Sequence, residues 1–185
     1  MCQKAFFRAK SNDSGLTLVE LLVSLAIMGA LVGIIIMSIM VMDTTTGKGR
    51  NSIYAISQVR NAQLWIQRDG KMARTININT ASPSGLPLTL TWTEWGGTRH
   101  AVNYYVEDNY LMRSYTEATS SGSEVAKAKT LIADSILPGS PYTTCQYGID
   151  EQAGEFIFTL TASVGRGKYE GTAKRVFEIR PRPGS

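Results

Sequence analysis

The stretch from Gly15 to Met42, GLTLVELLVSLAIMGALVGIIIMSIMVM, constrains this chain more than any other part of it. Its single charge is Glu20, five residues in from the left edge. From Leu16 the run holds 27 residues without a proline. As a helix it would extend roughly 40 Å at ~1.5 Å per residue. A hydrocarbon core is crossed by about 20 residues, so the segment is long enough to span a bilayer. A carboxylate costs on the order of 2–3 kcal/mol at mid-membrane and less near an edge. Glu20 therefore demands a partner or a purpose.

The flanks discriminate among kinds of apolar segment. A secretory signal has a core of about 7–15 residues and a small-x-small cleavage site. This run is longer and ends in Met40-Val41-Met42-Asp43 without such a site. A plain signal anchor explains the length, but neither Glu20 nor the glycine before Leu16. The positive residues ahead of the run predict an N-terminus in the cytoplasm and everything after Asp43 outside.

A short basic leader ending in Gly15, then Leu16-Thr17-Leu18-Val19-Glu20 and a long apolar run, resembles the signal of type IV prepilins and type II secretion pseudopilins. The resemblance implies a membrane-embedded prepilin peptidase that cuts after Gly15 and methylates the new amino terminus at Leu16. It implies that Glu20 docks the subunit beside the exposed amino terminus of a neighbour in a filament. Physical chemistry agrees, because an acid near a helix start is stabilised by the N-terminal dipole and by a nearby amine. Cleavage there would remove Lys4, Arg8, Lys10 and Asp13, three positives and one negative, taking the formal charge from +4 to +2. That balance is too small to argue for nucleic acid. It would also remove Cys2 and leave only Cys145, so no intramolecular disulfide could form.

Within the run Gly29 and Gly33 are four apart on one face, near Ala26 and Ala30. They are either packing grooves in a filament core or ordinary membrane-helix composition. Thr44-Thr45-Thr46-Gly47-Lys48-Gly49 is poor in helix formers and predicts a kink or melted stretch. From Arg50 to Arg74 helical spacing returns. Ala55, Val59, Ala62, Ile66 and Ala73 form one stripe, flanked by Ile53, Ile56 and Trp65 and interrupted by Gly70. Thr75–Gly85 reads as a loop, and Leu86–Thr93 alternates as a half-buried strand. Ala101–Glu107 and Tyr110–Thr116 read as a hairpin across Asp108-Asn109, packed through Tyr104, Val106, Leu111 and Tyr115. Thr116–Lys129 reads as an exposed loop and Thr130–Leu137 as a short apolar element. Glu155–Ala162 and Ala173–Ile179 read as paired strands across Gly165–Lys168.

The expected fold class is therefore α+β: a long N-terminal transmembrane helix continuing into a sheet-rich, pilin-like head. The expected divisions are a leader at 1–15, a membrane or filament-core helix at 16–42, a kink and amphipathic helix at 43–75, and an antiparallel head at 76–185. Two further stretches are similar to minor subunits, namely PilW-type minor pilins and minor pseudopilin J. One is Trp65-Ile66-Gln67-Arg68-Asp69-Gly70-Lys71-Met72-Ala73-Arg74; the other is Val102-Asn103-Tyr104-Tyr105-Val106 with Tyr110-Leu111-Met112-Arg113. The resemblance implies assembly with other pilin subunits on an inner-membrane assembly platform, in a pilus or a secretion pseudopilus, and no cofactor.

Other chemistries find little footing. His100 is the single histidine, in Gly96-Gly97-Thr98-Arg99-His100, which reads as a polar turn before a strand, and no Gly-x-Ser-x-Gly elbow exists. One histidine and Cys145 offer no zinc set. Asp150, Glu151 and Glu155 form the nearest thing to a calcium cluster and read as an exposed acidic turn. The alternative of a competence-type DNA receptor rests on Arg166, Lys168, Lys174, Arg175, Arg180 and Arg182, interleaved with Tyr169 and Phe177. The plainer reading is a solvated sheet edge whose charges block edge-to-edge pairing.

Overall fold

Thr17-Leu18-Val19-Glu20 opens the first helix as a capping-box sequence. The Glu20 backbone N–H donates to Thr17 Oγ1 at 3.3 Å, satisfying one of the donors that a helix start leaves over. The computed structural model describes residues 17–119, 123–148 and 155–181. It divides into two units, Met1–Asp43 and Thr44–Ser185. Helix α1 (Leu18–Met72) contributes to both.

In the first unit every described residue is exposed, Leu21, Ile27, Ile34 and Met42 among them. Its hydroxyls are satisfied within the helix itself. Ser24 Oγ donates to the Glu20 carbonyl at 2.7 Å, and Ser38 Oγ donates to the Ile34 carbonyl at 2.9 Å. Such back-bonding hides the polar atoms of a helix that must offer apolar groups all round.

In the second unit α1 buries Ala55, Val59, Ala62 and Ile66, the stripe that the sequence predicts. Three of its features are corrections. Helical structure continues through Thr44–Gly49, where a melted stretch is predicted. Gly47 serves contact there, because a Cβ on it would sit 2.7 Å from Cδ1 of Tyr169. Gly70 does not interrupt the stripe but completes it, since a Cβ at that site would run into Ile179 Cγ2. Ile53 and Ile56 do not flank the core; both point to the surface.

Two antiparallel sheets cover the helix stripe. The first has the order β1 (Thr75–Ile78), β2 (Leu88–Thr93), β3 (Arg99–Glu107), β4 (Tyr110–Ala118) and β5 (Glu124–Ala126), with β6 (Thr130–Ala133) also on β4. The second has the order β7 (Thr144–Tyr147), β8 (Phe156–Val164) and β9 (Gly171–Ile179). Leu137 N–H donates to the Thr161 carbonyl and Ser163 N–H to the Ser135 carbonyl, both at 2.9 Å, tying the chain after β6 to β8.

The predicted hairpin is present and its register is fixed. Asp108 and Asn109 take φ of 49° and 65°, the paired positive values of a tight primed turn, and Val106 pairs with Leu111. Asn tolerates this region because its short polar side chain adds little crowding. Tyr104 and Leu111 are fully buried, and Val106 and Tyr115 are packed against the core. The predicted loop at Thr75–Gly85 contains β1, because Ile76 and Ile78 alternate with polar residues and pair along β2. The predicted loop at Thr116–Lys129 contains the end of β4 and all of β5, whose three residues are exposed. An edge strand with no buried face leaves no apolar alternation to read.

The most demanding contact in this unit is Asp69, 1% exposed near the end of α1. Tyr104 Oη donates to Asp69 Oδ2 at 2.6 Å, and Arg113 Nε donates to the same oxygen at 2.7 Å. The Arg113 guanidinium also lies over the rings of Trp65 and Tyr115, at 5.4 and 5.2 Å from their centroids. Burial, then the Asp69 charge, pushes the Tyr104 phenol far above its ordinary range, so it stays protonated as a donor. Removing one member of such a pair strands a charge in the core, at a cost of about 3–5 kcal/mol. Asp69→Ala should therefore lower the denaturation midpoint of the full chain in detergent by that equivalent, followed by tryptophan fluorescence. Arg180→Ala, which breaks only the exposed pairing with Glu155 and Glu178, should leave the midpoint in place.

Candidate functional site

The site is the first turn of α1 together with the apolar helix behind it. The capped turn places Glu20 where the N-terminal dipole favours a negative charge. Among the described residues no side chain pairs with its carboxylate. Gly15 and Leu16 lie outside the described residues. Gly29 and Gly33 face open space, with no atom within 4 Å of where a Cβ would stand on either. From Leu18 to Met42 the helix is the one among the described residues long and apolar enough to cross a membrane.

Two residues carry more than the sequence reading gave them. Thr17 is the helix cap, and the Thr-x-x-Glu spacing is the signal that could have found it. Asp69 gives no local signal, since an acid in the last turns of an amphipathic helix normally faces water. Its partners lie 35 and 44 residues away in sequence and meet it only in the folded head.

Of the six basic residues proposed for DNA, five lie among the described residues, on β9, just past its end and in the turn before it. Lys174 and Arg175 are adjacent on β9 and so project to opposite faces of the sheet. Arg180 spends its charge on Glu155 and Glu178. Arg166 and Lys168 sit in the turn between β8 and β9, which forms a 3-10 turn at Gly167–Tyr169. Arg182 lies outside the described residues.

His100 is in β3 rather than in a polar turn, and it is 4% exposed. Its ring lies beside those of Trp92, at 5.2 Å, and Tyr115, at 5.8 Å, which are themselves 6.4 Å apart, and Nδ1 lies 2.6 Å from Tyr115 Oη. Tyr115 Oη in turn donates to Glu117 Oε1 at 2.6 Å. This is a packed polar layer at the end of the first sheet. Among the described residues no three of His, Cys, Asp and Glu come together as a metal set. Asp150 and Glu151 lie outside the described residues, and the Glu155 carboxylate is engaged by Arg180.

Cys145 is 1% exposed in β7, and burial pushes its thiol up to about 12. A raised value means that burial favours the folded state below the ordinary thiol range and that this contribution is lost as pH climbs through the folded value. In a full chain carrying Cys2→Ser, a thiol-specific disulfide reagent at pH 8 should leave Cys145 unmodified until denaturant is added. Labelling of the native protein would place the thiol at the surface instead.

Comparison with known families finds one match. Residues 10–36 fit the model of the prokaryotic N-terminal methylation motif, which covers the leader end, Glu20, Gly29 and Gly33. No curated protein and no solved structure matches the chain. The described part of the match, residues 17–36, lies on an exposed apolar helix long enough to cross a membrane, so the chain carries the N-terminal methylation signature on a helix of spanning length.

Proposed function

We propose that the protein is a minor pilin or pseudopilin subunit that assembles into, or initiates, a type IV pilus or a type II secretion pseudopilus. The methylation motif, leading into an apolar helix whose described residues 17–43 are all exposed, is the observation that carries this reading. A helix that exposes Leu, Ile and Met on all sides needs lipid before assembly and other helices after it. Prepilin peptidase cuts between Gly15 and Leu16 and methylates Leu16. The chain before cleavage crosses the inner membrane once, with its N-terminus in the cytoplasm and its head outside.

Glu20 then acts in assembly. Its carboxylate has no internal partner among the described residues and follows Leu16 by four residues in sequence. In an apolar filament core, the amine of an adjacent subunit is the group that would neutralise it. Gly29 and Gly33 leave room for close helix approach. The minor-subunit reading rests on Asp69, Tyr104 and Arg113, which belong to the two stretches similar to minor subunits and bond to one another.

Intact mass spectrometry of membrane-extracted protein should give a chain beginning at Leu16 with the added mass of one methyl group. Glu20→Val should give the same processed mass but be missing from sheared filaments. Normal incorporation of Glu20→Val would remove the docking role. A chain that keeps residues 1–15 in the presence of the peptidase would remove the filament reading.

A further inference from the structure

The second unit holds a cleft of about 530 Å³ lined by Thr44, Thr45, Lys48, Gly49, Ser52 and Lys168. We propose that this cleft binds the phosphate of an anionic phospholipid headgroup. The proposal takes the bilayer from the anchor described above, but it concerns a separate site with its own ligand.

The lining has the composition that such a ligand needs. Two lysines and three hydroxyl-bearing residues line it, and none of its lining residues is acidic. A phosphodiester offers acceptor oxygens and one negative charge, so Lys48 and Lys168 can bind it from two sides while hydroxyls donate. Glu170, the acid nearest in the turn, is engaged elsewhere and accepts from Ser163 Oγ at 2.6 Å.

The walls of the cleft are fixed by packing. The Tyr169 ring lies on the helix where Gly47 leaves space for it, and Asn51 Nδ2 donates to the Tyr169 carbonyl at 2.7 Å. Lys168, one residue earlier, has its Nζ over the Tyr169 ring at 4.9 Å from the centroid. These contacts hold the turn between β8 and β9 against the helix segment that carries Lys48 and Ser52.

Position along the chain supplies the ligand. Thr44 follows Met42, the last residue of the apolar run, by two residues, and Lys48 follows it by six. In a helix, six residues rise about 9 Å, which reaches headgroup depth from the edge of the hydrocarbon. Tyrosine and basic side chains are favoured in that layer, where a ring can meet the apolar boundary and a cation can meet phosphate. A nucleic-acid backbone would instead need a row of cations, and Lys174 and Arg175 on opposite faces do not extend one.

The test is acylation of lysines in the full chain, in nanodiscs of phosphatidylcholine alone or of phosphatidylcholine with phosphatidylglycerol, read site by site by peptide mass spectrometry. Phosphatidylglycerol should slow acylation of Lys48 and Lys168 by about fivefold each. Lys71, far along the helix, should react equally in both discs. Lys168→Gln should release Lys48 from protection while the chain still enters the discs. Equal rates in both discs would overturn the proposal, as would Lys48 protection that survives Lys168→Gln. Inorganic phosphate that protects equally in phosphatidylcholine discs would make this a free-phosphate site, and a short duplex DNA that does so would make it a nucleic-acid site; either replaces the lipid. A chain that enters neither disc would remove the anchor itself and this proposal with it, whereas incorporation without protection would remove this proposal alone.

Discussion

The head is organised around a charge that it cannot leave unpaired. Asp69 is buried on the helix, and its carboxylate is held by Tyr104 from β3 and Arg113 from β4. Tyr104 and Arg113 are directly paired across the hairpin, so a shift of one residue in that register would turn at least one of them to the other face. The ion pair therefore ties the end of α1 to one alignment of the first sheet. A buried pair of this kind contributes little net stability compared with apolar residues of the same volume. What it contributes here is a unique arrangement, since any other packing leaves a desolvated charge without a partner.

The apolar part of α1 obeys the opposite rule. Its backbone bonds are made within the helix and its serines bond to carbonyls one turn back, so its surface offers apolar groups with Glu20 as the single charge before Asp43. Such a segment is stable wherever lipid or other apolar helices surround it, and it does not specify which. Glu20 in the first turn adds direction, because a carboxylate at that depth is tolerated only near an interface or opposite a positive group.

Much of this was legible from the residues in order. The stripe Ala55, Val59, Ala62, Ile66 announces its buried face by spacing, and β2, β3, β4, β8 and β9 announce themselves by alternation. Elements that lack such a pattern were missed. β5 has no buried residue, and β1 and β7 have four residues each, so that even the alternation of Ile76 and Ile78 in β1 is too short to stand out from a loop. Glycine was misread for a related reason. Propensity treats Gly47 and Gly70 as helix breakers, whereas both are places where another element comes too close for a Cβ. The cost of a glycine in a helix is small beside the packing that it permits.

The sequence by itself determined an apolar run long enough to cross a membrane, the methylation motif over residues 10–36 and the α+β division, because each depends on local order: run length, spacing and period. The tertiary structure alone decided that Asp69, Tyr104 and Arg113 form one network, and that His100 belongs to a buried stack. It alone put Lys174 and Arg175 on opposite faces of β9 and Lys168 and Lys48 in the lining of one cleft. Those pairings join residues far apart in the chain, and no local pattern encodes a partner that is chosen by how two sheets pack on a helix.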